Sequence, residues 1–262
     1  MPHANADGVS IHYEVDGDGP PVVFCGDVGL GAWQFGWQHG AVAGPFTTIT
    51  PEWRGIGESD RPTGPYSLSD FVGDLEAVLS AEGIRNPHLV GYGFGGMVAL
   101  QYALGQSRPE SLVLLGTPPS GADLNADGLW GDPNNPGEVR SAIDAGLSAE
   151  FREERPDVLD QIEDWRTVED ADQQAFEWQR AALNEFDVGD QLFEITTPTL
   201  VLHGSDDRIC PVEYGETLAE GLPRGEFVEV YGAGHLVSVE ASGHVNDELR
   251  SWLDEHADVD RA

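Results

Sequence analysis

Short apolar runs alternate along the chain with stretches whose apolar positions recur at threes and fours. Val9–Val15, Pro21–Cys25, Phe46–Thr50, His88–Gly91, Leu112–Leu115, Thr199–His203 and Phe227–Tyr231 read as strands. Several of them, such as Val22-Val23-Phe24 and Leu112-Val113-Leu114-Leu115, are apolar at every position, as strands covered on both faces should be. Leu68, Phe71, Val72, Leu75, Val78 and Leu79 follow helical spacing, and so do Val245, Leu249, Trp252 and Leu253. Strands alternating with helices predict βαβ crossovers, a mostly parallel sheet and an α/β fold.

One region breaks the alternation. Between Ser120 and Thr197 no strand pattern occurs. A loop rich in Gly, Pro and Asn runs from Gly121 to Gly137. Helical stripes follow at Val139, Ile143, Leu147 and Phe151, at Val158, Leu159, Ile162 and Trp165, and at Phe176, Leu183 and Phe186. Three helices exceed what one crossover needs, so residues 120–196 are expected to form a helical lid, and residues 1–119 and 197–262 the core. Trp33, Trp37, Trp53, Trp130, Trp165 and Trp178 are available to line a pocket beneath it or to pack the core.

Composition narrows the class of partner. The 262 residues carry 47 Asp and Glu against 13 basic residues, a formal net charge of −34. All 13 basic residues are arginine, and lysine is absent. Such a surface repels nucleic acid and anionic lipid, whose binding requires basic groups. It also repels itself, until molar salt shortens the screening length to about 3 Å. The balance resembles that of proteins adapted to a high-salt cytoplasm. Cys25 and Cys210 lie far apart, and neither they nor His3, His12, His39, His88, His203, His244 and His256 form a metal spacing. The N-terminal residues lack a basic and apolar leader, and no apolar run approaches the ~18 residues of a membrane span. A soluble cytoplasmic protein acting on a small molecule, without metal or cofactor, is expected. The oligomeric state is left open.

The candidate chemistry lies at strand ends. His88-Leu89-Val90-Gly91-Tyr92-Gly93-Phe94-Gly95-Gly96 is a strand running directly into a glycine-rich turn and a helix. This is the context of the nucleophile elbow, G-x-S-x-G, with Gly93 where the nucleophile belongs. Leu200 to Pro211 is a strand ending in Gly204-Ser205-Asp206-Asp207, and Val230 to His235 is a strand ending in Gly232-Ala233-Gly234-His235. An acid and a histidine placed so can meet above the sheet, Asp207 holding the His235 imidazole. Asp206 is the rival acid, and register with Gly204 and Pro211 favours Asp207.

On these motifs the chain resembles the α/β-hydrolase superfamily over nearly its whole length. Glu52-Trp53-Arg54-Gly55-Ile56-Gly57-Glu58-Ser59 is similar to the family's D-x-R-G-x-G-x-S loop, with Glu for Asp, and Leu114-Leu115-Gly116-Thr117-Pro118 to the strand before its lid. The resemblance implies an α/β-hydrolase fold with the lid after the sixth strand. Its pattern is nearest the small lid-bearing esterases, lactonases and C–C bond hydrolases. It also implies an oxyanion hole from the backbone amides of Asp27 and Phe94. Two departures matter. Gly93 cannot attack a substrate, and Asp27 introduces a carboxylate where negative charge would develop, in Cys25-Gly26-Asp27-Val28-Gly29. Three readings follow: an enzyme using a His235–Asp207 dyad on small esters, lactones or related carbonyl compounds, a binding protein that lost the chemistry, and a serine hydrolase whose serine was replaced by Gly93. Cys25 stands as an alternative nucleophile or a buried small hydrophobe.

Overall fold

A computed structural model describes residues 2–106 and 108–257. Eight strands form one sheet: β1 (His3–Ala6), β2 (Val9–Asp16), β3 (Pro21–Cys25), β4 (Thr47–Pro51), β5 (His88–Tyr92), β6 (Ser111–Leu115), β7 (Thr199–Gly204) and β8 (Gly225–Val230), in the order β1-β2-β4-β3-β5-β6-β7-β8. The first two strands are antiparallel, as is the β2–β4 pair, and every pair from β4 to β8 is parallel. The helices are α1 (Gly36–Val42), α2 (Leu68–Ala81), α3 (Phe94–Gly105), α4 (Ala126–Leu129), α5 (Pro136–Gly146), α6 (Ala149–Glu154), α7 (Pro156–Glu169), α8 (Gln173–Leu183), α9 (Val212–Gly221), α10 (Val237–Glu240) and α11 (Ser242–His256).

The two faces of the sheet follow from the twofold alternation of strand side chains. Val23, Leu89, Leu112 and Leu114 pack with Phe71 and Leu75 of α2, Met97 and Leu100 of α3, and Leu218 of α9. Their neighbours Val22, Phe24, Val90, Val113 and Leu115 point the other way, against Val42 of α1 and Val245, Leu249, Trp252 and Leu253 of α11. Burial on both faces is why these strands are apolar at every position. Helix α3 is buried nearly all round, consistent with its almost continuous apolar sequence.

Helices α4 to α8 lie between β6 and β7; α5 and α7 share a separate apolar cluster, while α4 and α8 pack into the main core. Val139 and Ile143 of α5 and Val158, Leu159 and Ile162 of α7 pack with Leu30 and Trp33 after β3 and with Leu236 and Val239 after β8. The expected stripe through Phe151 is broken into α5 and α6. Leu147 takes an extended conformation, and the Ser148 hydroxyl caps the new helix by accepting from the Phe151 amide at 3.2 Å. Two buried polar side chains fix this insert to the loop after β3. Arg166 donates to Asp170 Oδ2 and to the Leu129 carbonyl, each at 2.6 Å, while Asp170 Oδ1 accepts from the Gly31 amide and Trp33 Nε1. Gln179 of α8 accepts from the Gly29 amide at 2.8 Å and donates to the Arg54 carbonyl at 2.9 Å. The loop Gly26–Gly31 is thereby held on both sides.

Strand β1 was not legible as a strand. His3-Ala4-Asn5-Ala6 alternates small and polar residues, and only Ala4 and Ala6 are buried. Among the described residues no helix is long and apolar enough to cross a membrane.

Candidate active site

Strand β5 ends at Tyr92, and Gly93 turns the chain with φ of +44° and ψ of −109° before α3 begins at Phe94. That left-handed geometry suits glycine and strains any other residue. Helix α3 then starts so close to β3 that a Cβ on Gly95 would stand 2.0 Å from the Cys25 carbonyl oxygen. The space above Gly93 is occupied. A Cβ built there would lie 2.3 Å from Asp27 Oδ2 and 2.4 Å from both Cγ and Oδ1. The seat that a nucleophilic side chain at 93 would fill is taken by a carboxylate from the loop after β3.

Asp27 is completely buried. Its Oδ1 accepts from the Val28 amide at 2.7 Å and the Phe94 amide at 2.8 Å, and its Oδ2 lies 3.1 Å from His235 Nε2. The expected role of the Asp27 amide as an oxyanion donor is corrected here: that N–H turns away and donates to Gln34 Oε1 at 3.0 Å. Val28 supplies the amide beside Phe94 instead, and the Asp27 side chain accepts from both. Phe94 is the first residue of a twelve-residue helix, whose amide end favours an anion.

The other nitrogen of His235 meets the second carboxylate. His235 Nδ1 lies 2.7 Å from Asp207 Oδ2, and Asp207 Oδ1 accepts from the Ile209 and Cys210 amides at 2.8 Å each. The Tyr92 hydroxyl donates to the His235 carbonyl, anchoring the histidine loop to the elbow. Asp206 is exposed and lies outside this set. Gln34 and Gln179 carry no motif, and His203 and Val28 lie within the motif stretches in positions to which the motifs assign no role. His203 Nε2 lies 3.2 Å from Asp207 Oδ2 and 2.7 Å from the Cys210 carbonyl. Cys25 packs in the sheet core, where burial pushes its thiol up to about 12, so it stays protonated. Trp130 stacks on Phe176 beside Gly29, Trp53 and Trp33 are buried, and Trp37 meets Trp165 edge-on.

Two buried carboxylates therefore flank one imidazole, a relay Asp27–His235–Asp207. Burial alone lowers the affinity of His235 for its proton, but Asp207 and Asp27 outweigh it and hold it up to about 10. Burial likewise opposes charge on Asp207, yet His235 and His203 keep it well below the usual carboxylate range. The sign of the pH dependence follows. His235 is raised above its ordinary 6.5, so its contribution to stability is complete below that pH and is lost as pH rises through about 10. Asp207 is depressed below its ordinary 3.8, so its contribution is present above that pH and is lost on acidification. Denaturant midpoints measured in steps from pH 4 to pH 11 are expected to fall between about pH 6.5 and about pH 10, and in a His235→Gln variant that fall is expected to vanish. An alkaline limb unchanged in the variant would refute the assignment.

Comparison with known proteins agrees with this fold. The model of the alpha/beta hydrolase family matches residues 22–246. A protein of Azorhizobium caulinodans named as a carbamate hydrolase, RutD, is 28% identical over 97% of this chain and 99% of its own length. The 2-hydroxymuconate semialdehyde hydrolase of Pseudomonas putida is 30% identical over 73% of this chain and 71% of its own. Among solved structures, Est816, described as an N-acyl homoserine lactone degrading enzyme, superposes with a TM-score of 0.83 at 27% identity, covering 95% of this chain and 99% of that one. With the sheet order, the left-handed elbow and a matching model from β3 to α11 in agreement, the chain belongs to the alpha/beta hydrolase family.

Proposed function

We propose that this protein is a hydrolase-type enzyme acting on small uncharged compounds of the ester, lactone or carbamate kind, with Asp27, His235 and Asp207 as its reacting centre. A relative named as a carbamate hydrolase and a structural neighbour described as degrading an N-acyl homoserine lactone support the substrate class. The observation that carries the reading is the seat of Asp27, a buried carboxylate held by two amides and a histidine in the space above Gly93. Burying two carboxylates around one imidazole carries a desolvation cost, and such clusters of perturbed groups concentrate at functional sites. The insert of residues 120–196 acts as the lid, and Trp130 with Phe176 lines the approach beside the Gly29 backbone. An uncharged substrate suits a centre that already holds an excess of negative charge.

The test is turnover of a panel of nitrophenyl esters and small lactones in molar KCl, where the acidic surface is screened. Turnover is expected, with a loss of roughly 10⁴ or more in kcat for Asp27→Asn and for His235→Ala. Turnover indifferent to both variants would overturn the reading. A second reading, a ligand-binding protein without turnover, is favoured by one feature: Asp27 already engages the amide pair and the His235 nitrogen that acyl chemistry would need. It predicts thermal stabilisation worth about 2.7 kcal/mol at a hundredfold excess of ligand over Kd, with no product.

A further inference from the structure

We propose that Asp27 is the nucleophile, and that it opens a small lactone by attack on the saturated carbon of the ring C–O bond rather than on the carbonyl. The inference rests on the hydrolase reading above and names its reacting atom and substrate class. Asp27 Oδ1 is tied to the Val28 and Phe94 amides, whereas Oδ2 has, among the described residues, the single partner His235 Nε2, 3.1 Å away. Oδ2 is therefore the attacking atom.

The same hydrogen bonds decide between the two electrophilic carbons of a lactone. Attack on the carbonyl would create an oxyanion on the substrate, and the two amides that would receive it are already engaged by Asp27. Attack on the saturated carbon creates none. The ring oxygen leaves as part of a carboxylate, which is a stable anion and needs no acid. That matters because His235 stands against Oδ2, on the side of the attacking atom, and the leaving group departs on the far side.

The second half of the reaction uses the arrangement as it stands. Oδ2 forms the new C–O bond as the ring C–O bond breaks, leaving an Asp27 ester with a free carboxylate on the substrate. With Asp27 esterified, His235 Nε2 no longer faces a charged acceptor and gives its proton to solvent, while Nδ1 stays on Asp207. Neutral His235 then takes a proton from water, and the hydroxide adds to Asp27 Cγ. The oxyanion of this step develops on Asp27 Oδ1, between amides already at 2.7 and 2.8 Å. Collapse breaks the bond from Cγ to the alkyl oxygen, which takes the proton back from His235. The acid left on Asp27 then reprotonates His235. The sum is lactone plus water to hydroxy acid anion plus one proton, and the anionic product is repelled by the carboxylates it leaves behind.

The experiment uses a single enantiomer of β-butyrolactone, with the full chain in molar KCl and oxygen-18 water, under single-turnover conditions. Inverted 3-hydroxybutyrate whose hydroxyl oxygen is unlabelled is expected, with a gain of about 2 Da in the peptide containing Asp27, because that hydroxyl comes from the enzyme. In His235→Gln the ester is expected to persist as a protein mass increase of about 86 Da. Retained configuration with label in the product carboxylate and none in Asp27 would overturn this inference and leave the hydrolase reading standing. Hydrolysis of nitrophenyl esters without opening of the lactone would do the same. Silence on both substrates would overturn both. The labelling uses the unmodified chain, so it decides the matter even if the variant does not fold.

Discussion

Gly93→Ser alone is expected to weaken the fold and give no serine hydrolase, whereas Gly93→Ser combined with Asp27→Gly is expected to hydrolyse nitrophenyl esters. A Cβ at 93 would stand 2.3–2.4 Å from three atoms of the Asp27 carboxylate, which is buried and held by three hydrogen-bonding groups. It cannot swing aside without abandoning the amides. Overpacking of a tight site costs about 1–3 kcal/mol, and a non-glycine residue at such backbone angles costs about 1–3 kcal/mol more. The single variant should therefore lose roughly 2–6 kcal/mol. Removing the carboxylate frees the Val28 and Phe94 amides for a substrate oxyanion and frees His235 Nε2 for the new hydroxyl. Ester turnover in the double variant should exceed both single variants by roughly 10²–10³, the worth of a restored oxyanion hole. The measurement is a double-mutant cycle in stability and in kcat. Additive effects, or a Gly93→Ser variant as stable and active as the double, would show that the two positions do not compete for one space.

The second large effect is expected at His235. In His235→Ala the cation between Asp27 Oδ2 and Asp207 Oδ2 is gone, and both carboxylates remain buried. Breaking a buried ion pair by removing one partner costs about 3–5 kcal/mol, which for a domain of this size lowers Tm by about 10 °C. The loss should be full near pH 5, where the His235 contribution is complete, and smaller at pH 8, because that contribution declines as pH rises towards 10. Adding Asp27→Asn to the variant should recover part of the stability, because one of the two stranded charges is removed. Denaturant unfolding at pH 5 and pH 8 checks all three statements. A His235→Ala variant as stable as the parent at pH 8 would mean that the relay contributes nothing to the fold.

The chain order of motifs carried much of the architecture. Runs such as Val22-Val23-Phe24 and Leu112–Leu115 identify strands covered on both sides, because alternation of side chains is a local property of extended backbone. The glycines at 91, 93 and 95 mark the elbow for the same reason: left-handed turning and close packing of backbone restrict residue type at the site itself. Asp207 and His235 were recognisable because each closes a short glycine-bearing loop at a strand end. The limits are equally specific. His3–Ala6 lacks any apolar contrast to reveal a strand, and the break at Leu147 depends on a capping hydroxyl rather than on the apolar stripe that crosses it.

What the sequence by itself determined is the parallel sheet, the helical insert between β6 and β7, the vacant Gly93, and an acid and a histidine in loops that can meet above the sheet. What only the tertiary structure decided is what stands in the vacancy. Asp27 reaches an amide 67 residues along the chain and a histidine 208 residues along it. Its own amide turns to Gln34, and its neighbour Val28 supplies the donor that the motif would assign to it. A residue's type and spacing constrain its backbone, whereas the direction of a buried side chain is set by which distant donors it can satisfy. For Asp27 those donors are assembled only once β3, β5 and β8 lie in one sheet, with α8 and the Arg166–Asp170 pair pressing the loop Gly26–Gly31 onto the elbow.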